Sequence, residues 1–191
     1  NRMSQTDAEK WNERYAVPEV KPPLPFLVAH VPVLGTGSAL VLAAGVGQNA
    51  VYLAEQGFST TALDVSEVGL SHCRNLAKLN GVQVDTLCAD LEDFVFQKSE
   101  YDLITMIYFY EPRLLPSIRK ALKPGGHFLF QTFSKQHAEV GTFGPKSPAY
   151  LSDVETVTQP FSGDNTLTCD ETIIEEDGDT EAVIQMIIQK V

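Results

Sequence analysis

The sequence has 191 residues, of which 43% are hydrophobic, which suits one well-packed α/β domain and excludes a disordered chain. Its formal net charge of −11 argues against nucleic acid or an anionic membrane surface as a partner. No apolar stretch reaches the roughly 18 residues that a membrane span needs, and no charged and apolar leader opens the sequence, so we expect a cytoplasmic protein. Cys73, Cys88 and Cys169 show no C-x-x-C spacing, and we expect them to be free thiols.

The first part of the chain predicts a helix followed by a proline-rich crossing. Residues 7–15 have helical character, and Trp11 and Tyr15 lie one turn apart on the same face. Prolines then interrupt regular structure before a short helix predicted over 26–33. The pattern fits two roles for the aromatic helix, a lid over a binding site or simple packing. We therefore treat 1–34 as an N-terminal lid segment within a single domain that covers 1–191.

The stretch from Ala39 to Asp64 predicts a strand, a glycine turn, a helix and a second strand. Gly45 and Gly47 follow a short apolar run, and apolar residues at helical spacing continue as far as Gly57, which suits a helix C-cap. A βαβ unit of this kind is right-handed. It opens a crevice for a nucleotide-sized ligand at the carboxyl ends of its strands.

Two ligand classes fit this turn. Glycines let the backbone approach a ligand closely, and the helix N-terminus behind them offers unpaired N–H groups. Asp64, at the tip of the second strand, can accept both hydroxyls of a ribose. The run from Gly45 to Ala50 satisfies the G-x-G-x-x-A pattern of dinucleotide sites, whereas S-adenosylmethionine would place its amino-acid end and ribose in the same crevice. The turn alone does not distinguish the two ligands.

Further strand and helix signals follow Asp64. Ser66 is a good helix N-cap, and Asn80-Gly81 ends that helix after Leu79. The later elements are predicted as a strand over 82–89, a helical turn over 91–96, a strand over 101–108, a helix over 111–122 and a strand over 127–133. The run at 101–108 is almost continuously apolar, which is typical of a strand that is covered on both faces.

The pattern changes after the fifth strand. Residues 134–152 contain glycine, proline and aromatic residues without a period, which is typical of a functional loop. Residues 153–161 fit either a short helix or a broken strand. Two β-rich runs over 166–176 and 180–190, joined by Asp177-Gly178-Asp179, predict an antiparallel hairpin. We interpret the acidic residues here as a solvated face rather than a metal site, because alternating strand residues point to opposite faces.

Four stretches resemble motifs of the class I S-adenosylmethionine-dependent methyltransferases. They are the glycine loop over 39–54, Asp64 after TTAL, Asp90 and Leu91 in CADLEDF, and LKPGG at 122–126. The resemblance covers nearly the whole chain. It implies an α/β fold, a Rossmann-like three-layer sandwich. Its sheet would have seven mostly parallel strands in the order 3-2-1-4-5-7-6, with one antiparallel strand.

A closer resemblance is to the tellurite-resistance (TehB-like) and thiopurine methyltransferase group. The phrases that carry it are WNERY at 11–15, GQNAVYLAEQG at 47–57, DVSEVGL at 64–70 and EVGTFGPK at 139–146. The family loop usually opens with an acid and has three alternating glycines, whereas the corresponding positions here are Val41, Ala43, Gly45 and Gly47. The acid normally orients the loop or helps to hold the amino group of the ligand. We therefore expect this departure to affect affinity.

The resemblance implies a set of site residues and no metal. The residues that it assigns to the cofactor S-adenosyl-L-methionine are Trp11, Tyr15, Ala43, Gly45, Gly47, Asn49, Asp64, Val65, Asp90, Leu91 and Met106. The candidates near the transferred methyl group are Tyr108, Phe109 and Tyr110 after the fourth strand, and His137 and Lys146 in the late loop. Among them, Tyr108, His137 and Lys146 are the catalytic candidates.

The implied reaction is methyl transfer to a small-molecule acceptor such as a thiol or a chalcogen oxyanion. Such a reaction depends on alignment and exclusion of water more than on a dedicated base. We expect Trp11 and Tyr15 to meet Phe143 and Lys146 over the sulfonium, with Lys146 attracting an anionic acceptor. The expected assembly is a monomer or weak homodimer. Two alternatives remain open, a nicotinamide dinucleotide-dependent oxidoreductase and a catalytically inactive protein that binds S-adenosylmethionine.

Overall fold

The centre of the molecule is a single seven-stranded sheet. The computed structural model describes residues 5–19 and 21–191, so residues 1–4 and 20 of the predicted N-terminal segment lie outside the described residues. Within that part of the chain, no helix combines the length and the apolar character that crossing a bilayer requires.

The regular elements follow one another along the chain with short connections. The strands are β1 Ser38–Leu42, β2 Ser59–Asp64, β3 Asp85–Cys88, β4 Tyr101–Ile107, β5 Leu122–Phe133, β6 Asn165–Glu176 and β7 Asp179–Gln189. The α-helices are α1 Gln5–Tyr15, α2 Pro25–His30, α3 Gln48–Glu55, α4 Glu67–Leu79, α5 Leu115–Ala121, α6 His137–Val140 and α7 Val154–Thr158. Short 3₁₀ helices occupy Val31–Val33, Pro112–Leu114, Pro148–Tyr150 and Gln159–Phe161.

The strand order is β3-β2-β1-β4-β5-β7-β6, which confirms the predicted topology. β1 lies between β2 and β4 and pairs with both in parallel, so Val41 faces Ala62 on one side and Thr105 on the other. β7 runs antiparallel to both of its neighbours, β5 and β6. The carboxyl ends of β1, β2, β3 and β4 therefore meet at one edge of the sheet.

The two faces of the sheet carry separate hydrophobic clusters. Ala39 and Val41 pack with residues of α2, α3 and α4 on one face. Leu40 and Leu42 pack with residues of α5 and α7 on the other face. This division follows from the alternation of side chains along a strand, and it explains why β1 is apolar at nearly every position.

Some element boundaries differ from the predictions. β3 begins at Asp85 instead of 82. Residues 91–96 contain the single helical turn that was predicted, since the Phe94 N–H donates to the Asp90 carbonyl at 3.0 Å. β5 begins at Leu122 instead of 127, because Leu122 already pairs with Tyr101 of β4 and the Gly125 N–H donates to the Lys190 carbonyl at 2.7 Å.

The late loop has more structure than its aperiodic sequence predicts. Residues 134–152 contain α6 and a 3₁₀ turn, and a bridge between Ser134 and Ser152 closes the loop. The Thr142 N–H donates to the Thr180 carbonyl at 3.0 Å, which attaches the loop to the start of β7. Residues 153–161 are helical, with Asp153 as the N-cap of α7, so the broken-strand alternative is wrong.

The predicted hairpin is confirmed. Asp177 and Gly178 both have positive φ, 51° and 83°, as the tight two-residue turn between twisted strands requires. The acidic side chains of this region are exposed, apart from Glu181, which is half-buried. The three cysteines are free, with Cys73 buried in α4.

Candidate active site

A cavity of about 70 Å³ lies at the edge where the carboxyl ends of β1 to β4 meet. Its walls come from the residues that follow each of these strands, together with the aromatic face of α1. The lining residues are Trp11, Tyr15, Ala43, Leu63, Asp64, Val65, Ala89, Leu91, Tyr108 and Phe109. In open α/β sheets this edge is where ligands bind.

The glycine loop after β1 turns back on itself through left-handed residues. Ala43, Gly45 and Gly47 have φ values of 51°, 58° and 90°. The Ala44 N–H donates to the Leu63 carbonyl at 3.0 Å, which ties the loop to β2. Ala43 thus adopts the conformation that favours glycine, so the departure from the family pattern places backbone strain beside the cavity.

Gly47 serves packing as well as conformation. A Cβ added at Gly47 would lie 2.3 Å from the Cys73 Sγ, because the N-terminus of α3 packs directly against α4. Gly47 does not line the cavity, so its predicted cofactor role stays a prediction. The sequence contains no local signal for its contact with Cys73.

Asp64 joins the two loops that border the cavity. Its Oδ2 accepts a hydrogen bond from the Gly45 N–H at 2.8 Å, and its Oδ1 accepts one from the Ser66 N–H at 2.9 Å. Only 6% of the residue is exposed. Burial raises the pKa of this carboxyl, although the hydrogen bonds from Gly45, Ser66 and Val65 oppose the shift.

The N-terminal helix α1 covers the cavity. Trp11 and Tyr15 are stacked with ring centroids 5.5 Å apart. The Tyr15 ring fits against two glycines, since a Cβ added at Gly45 or Gly69 would lie 3.0 Å or 2.9 Å from its atoms. Burial, followed by the charge of Asp64, raises the pKa of the Tyr15 phenol.

Asn12 fixes α1 to the start of α4, a role that the sequence patterns missed. The Ser66 Oγ donates to the Asn12 Oδ1 at 2.6 Å, and the same Ser66 Oγ accepts the Gly69 N–H at 3.1 Å as the cap of α4. Leu63 and Ala89 were also missed as cavity residues. Leu63 precedes Asp64 and Ala89 precedes Asp90, and both aspartates were predicted as site residues. The pairing register of β2 with β3 was the signal that could have identified Leu63 and Ala89.

Several predicted cofactor residues lie apart from the cavity walls. The Asn49 Oδ1 accepts a hydrogen bond from the Leu24 N–H at 2.8 Å, so it holds the proline-rich crossing against α3. Met106 is fully buried in the core. The Asp90 Oδ1 accepts the Glu92 N–H at 3.0 Å and stabilises the turn that brings Leu91 to the cavity. Their contact with a cofactor stays a prediction.

His137 does not have the geometry of a catalytic base. It is fully buried, its Nε2 lies 2.6 Å from the Phe143 carbonyl oxygen, and its Nδ1 accepts the Ala182 N–H at 3.1 Å. Since an N–H occupies Nδ1, the proton of the neutral ring sits on Nε2 and is donated to Phe143. Both nitrogens are used, and the ring holds the late loop against β7.

Lys146 also serves the loop and not the cavity. Its Nζ donates to the carbonyl of His137, the first residue of α6, at 3.0 Å. It also donates to the carbonyl of Gly141, which directly follows α6. The Phe143 ring packs against those of Phe133 and His137. Neither Phe143 nor Lys146 lines the cavity, so their expected meeting with Trp11 and Tyr15 over a bound ligand stays a prediction.

Tyr108 and Phe109 line the cavity as predicted, at the end of β4. Tyr108 has a φ of 48°, a strained conformation for an aromatic residue. Its hydroxyl donates to the Glu181 Oε1 at 2.5 Å and accepts from the Gln131 Nε2 at 2.9 Å. Tyr110 instead packs edge-on against Phe130 and does not line the cavity.

Known proteins resemble this chain in sequence and in fold. Residues 39–126 match the family model described as a methyltransferase domain. A curated relative, a ubiquinone biosynthesis O-methyltransferase from Idiomarina loihiensis, is 30% identical over 118 residues, which cover 59% of this chain and 49% of that protein. The chain spans at most about half the length of the curated relatives that it matches.

Solved structures extend the likeness to the rest of the chain. TehB from Haemophilus influenzae has a TM-score of 0.75 at 14% identity, covering 96% of this chain and 67% of that one. An S-adenosylmethionine-dependent methyltransferase from Methanosarcina mazei has a TM-score of 0.70 at 15% identity, covering 90% and 99%. Residues 39–126 are therefore similar to a methyltransferase domain, and the chain has the fold of the class I S-adenosylmethionine-dependent methyltransferases.

Proposed function

We propose that the protein transfers a methyl group from S-adenosylmethionine to a small-molecule acceptor. The observation that carries the proposal is the cavity itself. It combines the glycine loop after β1, the buried carboxylate of Asp64 and the stacked rings of Trp11 and Tyr15. The methyltransferase match over 39–126 supports the same reading.

The residues around the cavity fit the parts of this cofactor. Both Asp64 oxygens accept backbone N–H groups, and the lone pairs that remain on the carboxylate can accept ribose hydroxyls. Leu63, Val65 and Leu91 offer apolar surface for the adenine ring. The faces of Trp11 and Tyr15 favour a positive sulfonium. When bound, the cofactor supplies an activated methyl group on a sulfur that leaves uncharged.

Helix α1 has to move for this ligand to enter. The cavity of about 70 Å³ is far smaller than the roughly 300–1,000 Å³ of ordinary ligand pockets, and Trp11 and Tyr15 form part of its walls. The hydrogen bond between Asn12 and Ser66 holds α1 at this place. Closure of α1 over the ligand would exclude water from the reacting atoms.

Calorimetry tests the proposal. We expect S-adenosylmethionine and S-adenosylhomocysteine to bind at one site and NAD not to bind. Asp64→Ala removes charge-assisted hydrogen bonds worth about 1.5–3 kcal/mol, so affinity should fall about tenfold to a hundredfold. Asp153→Ala removes a carboxylate that caps α7 away from the cavity, and its affinity should match the unmodified protein. Tighter binding of NAD than of S-adenosylmethionine would instead support the oxidoreductase.

A further inference from the structure

Two aromatic rings of the cavity wall are held together within helix α1. Trp11 stacks on Tyr15 with ring centroids 5.5 Å apart, and the Arg14 guanidinium lies 5.1 Å from the centroid of the Trp11 ring. Both of these partners lie about one turn from Trp11 on the same helix. A displacement of α1 would therefore take this part of the wall with it as one piece.

Asn12, on the same helix, joins α1 to the beginning of α4 through one oxygen. The Ser66 Oγ donates to the Asn12 Oδ1 at 2.6 Å, and the Val68 N–H donates to the same oxygen at 3.4 Å. Because a backbone N–H can only donate, the oxygen of the Asn12 amide and not its nitrogen faces α4. Asn12 thus supplies an acceptor to the N–H groups that a helix N-terminus leaves unpaired.

Ser66 is fixed on the other side of this contact. The residue is fully buried, and its Oγ accepts the Gly69 N–H at 3.1 Å as the N-cap of α4. Its own N–H donates to the Asp64 Oδ1 at 2.9 Å. The hydroxyl proton that Ser66 gives to Asn12 is therefore presented by the same loop that holds Asp64, the proposed ribose ligand.

The chain that follows α1 permits the helix to move. Residues 16–19 are exposed and form neither helix nor strand. Farther along, the Leu24 N–H donates to the Asn49 Oδ1 at 2.8 Å and fixes the chain on α3. Rotation in the exposed residues can therefore change the position of α1 while Leu24 and α3 stay in place.

We propose that the hydrogen bond between Asn12 and Ser66 is a latch that controls passage of ligand into and out of the cavity. The inference rests on the proposed binding of S-adenosylmethionine. The cavity of about 70 Å³ is too small for this cofactor while Trp11 and Tyr15 form part of its wall, so α1 has to move before the ligand enters. The same movement has to precede release. Asn12 is thus a positioning residue, which acts through the helix that carries the two rings.

A latch has a kinetic signature that differs from that of a ligand contact. Loss of one neutral hydrogen bond changes the open population about two- to tenfold. Removing the latch should therefore speed both association and dissociation of ligand about two- to tenfold, because the closed state is weakened with and without ligand. The affinity should change by less than either rate. Loss of a ligand contact would instead speed dissociation alone.

Stopped-flow fluorescence tests the latch, because Trp11 is the only tryptophan of the chain and lies on α1. The protein is mixed with increasing concentrations of S-adenosylhomocysteine. The slope of the observed rate against concentration gives the association rate constant, and the intercept gives the dissociation rate constant. Acrylamide quenching of Trp11 without ligand reports separately how often α1 is open.

The variants separate the latch from the stability of the helix itself. Asn12→Leu removes the oxygen at similar size, and leucine favours a helix more than asparagine does. Asn12→Asp keeps an acceptor. Ser66→Gly removes the donor from the other side and keeps a tolerated N-cap residue, so it serves if Asn12→Leu does not fold. Glu13→Leu, at an exposed position of α1, is the matched control.

We expect Asn12→Leu and Ser66→Gly to speed both rates and to increase quenching of Trp11. Asn12→Asp and Glu13→Leu should match the unmodified protein. Faster dissociation with unchanged association, or rates and quenching in Asn12→Leu that match those of Glu13→Leu, would overturn the inference. Binding seen by calorimetry without a change in Trp11 fluorescence would also overturn it. If calorimetry detects no binding of S-adenosylhomocysteine, the proposed methyl transfer fails instead, while quenching still tests the latch.

Discussion

The Asp64 carboxylate accepts a hydrogen bond from the Gly45 N–H at 2.8 Å, and this bond ties the end of β2 to the loop after β1. The other carboxylate oxygen accepts the Ser66 N–H, so one buried side chain sets the position of two loops. Asp64 thus has a structural role in addition to the proposed ribose contact. Mutation of this residue should disturb the shape of the site as well as its chemistry.

Ligand binding should depend on pH through Asp64. Burial raises the pKa of this carboxyl above its ordinary 3.8, so the folded chain holds the proton more tightly than the unfolded chain. Acidification through this window therefore increases the contribution of this group to fold stability, while it removes the charge that Gly45 and Ser66 face. We expect affinity for S-adenosylmethionine to fall as the pH drops through the raised pKa. Calorimetry at several pH values measures this, and Asp64→Asn should show no such dependence. Parallel losses in both proteins would contradict the assignment.

Replacing Ala43 by glycine should stabilise the fold. Ala43 has a φ of 51°, and the left-handed conformation costs an L-residue about 1–2 kcal/mol that glycine does not incur. Part of this gain is offset by the greater entropy of glycine in the unfolded chain, so we expect a net gain of about 0.5–1 kcal/mol in urea unfolding. Ala44→Gly is the matched control. Ala44 is buried and is not among the left-handed residues, so that change should destabilise the fold. A loss of stability in Ala43→Gly would show that the strain is absent.

Replacing Gly47 by alanine should be far more disruptive than the same change at Gly81. Both glycines have positive φ, 90° and 69°, so both variants incur about 1–2 kcal/mol of conformational strain. Only at Gly47 would the new methyl group meet Cys73, at 2.3 Å from Sγ, whereas nothing lies within 4 Å at Gly81. Overpacking adds about 1–3 kcal/mol at Gly47. Chemical denaturation of the two variants compares the costs, and equal costs would rule out the clash.

We expect Lys146 to stabilise the late loop and not to bind the cofactor. Lys146→Met keeps the aliphatic stem and removes the ammonium that bonds to the carbonyls of His137 and Gly141. Backbone amides over 137–146 should then exchange with solvent faster, while the affinity for S-adenosylmethionine stays the same. A weaker affinity with unchanged exchange in the loop would return Lys146 to the binding site.

Local patterns were sufficient to predict most of the fold. The apolar runs of β1 and β4, the glycine turn before α3 and the Asp177-Gly178 turn are signals within a few residues of chain, and the structure has each of these elements. The predictions that depend on distant contacts were less accurate. The fifth strand was predicted to begin at 127, but it begins at Leu122, which pairs with Tyr101 of β4. That pairing has no signal in the local sequence.

The predictions of site residues also divide into those with a local signal and those that depend on distant contacts. Ala43, Asp64, Leu91 and Tyr108 lie at or after strand ends, which share one edge of a parallel sheet, and the family resemblance assigned them to the site. The role of His137 depends on its neighbours Phe143 and Ala182, which an aperiodic loop and a distant strand provide. Likewise, Glu181 reaches Tyr108 only because β7 folds back beside β5. Such partners cannot be identified from residue type and spacing.

Hydrogen exchange with and without S-adenosylmethionine tests the central claim most directly, because it shows where the ligand binds. We predict slower exchange in three separate segments, 9–15 in α1, 43–49 in the glycine loop and 64–69 from the end of β2, with 165–176 in β6 unchanged. Protection of the two loops without α1 would show that Trp11 and Tyr15 are packing residues and not a lid. Protection confined to segments outside the cavity, or no protection at saturating ligand, would contradict the account.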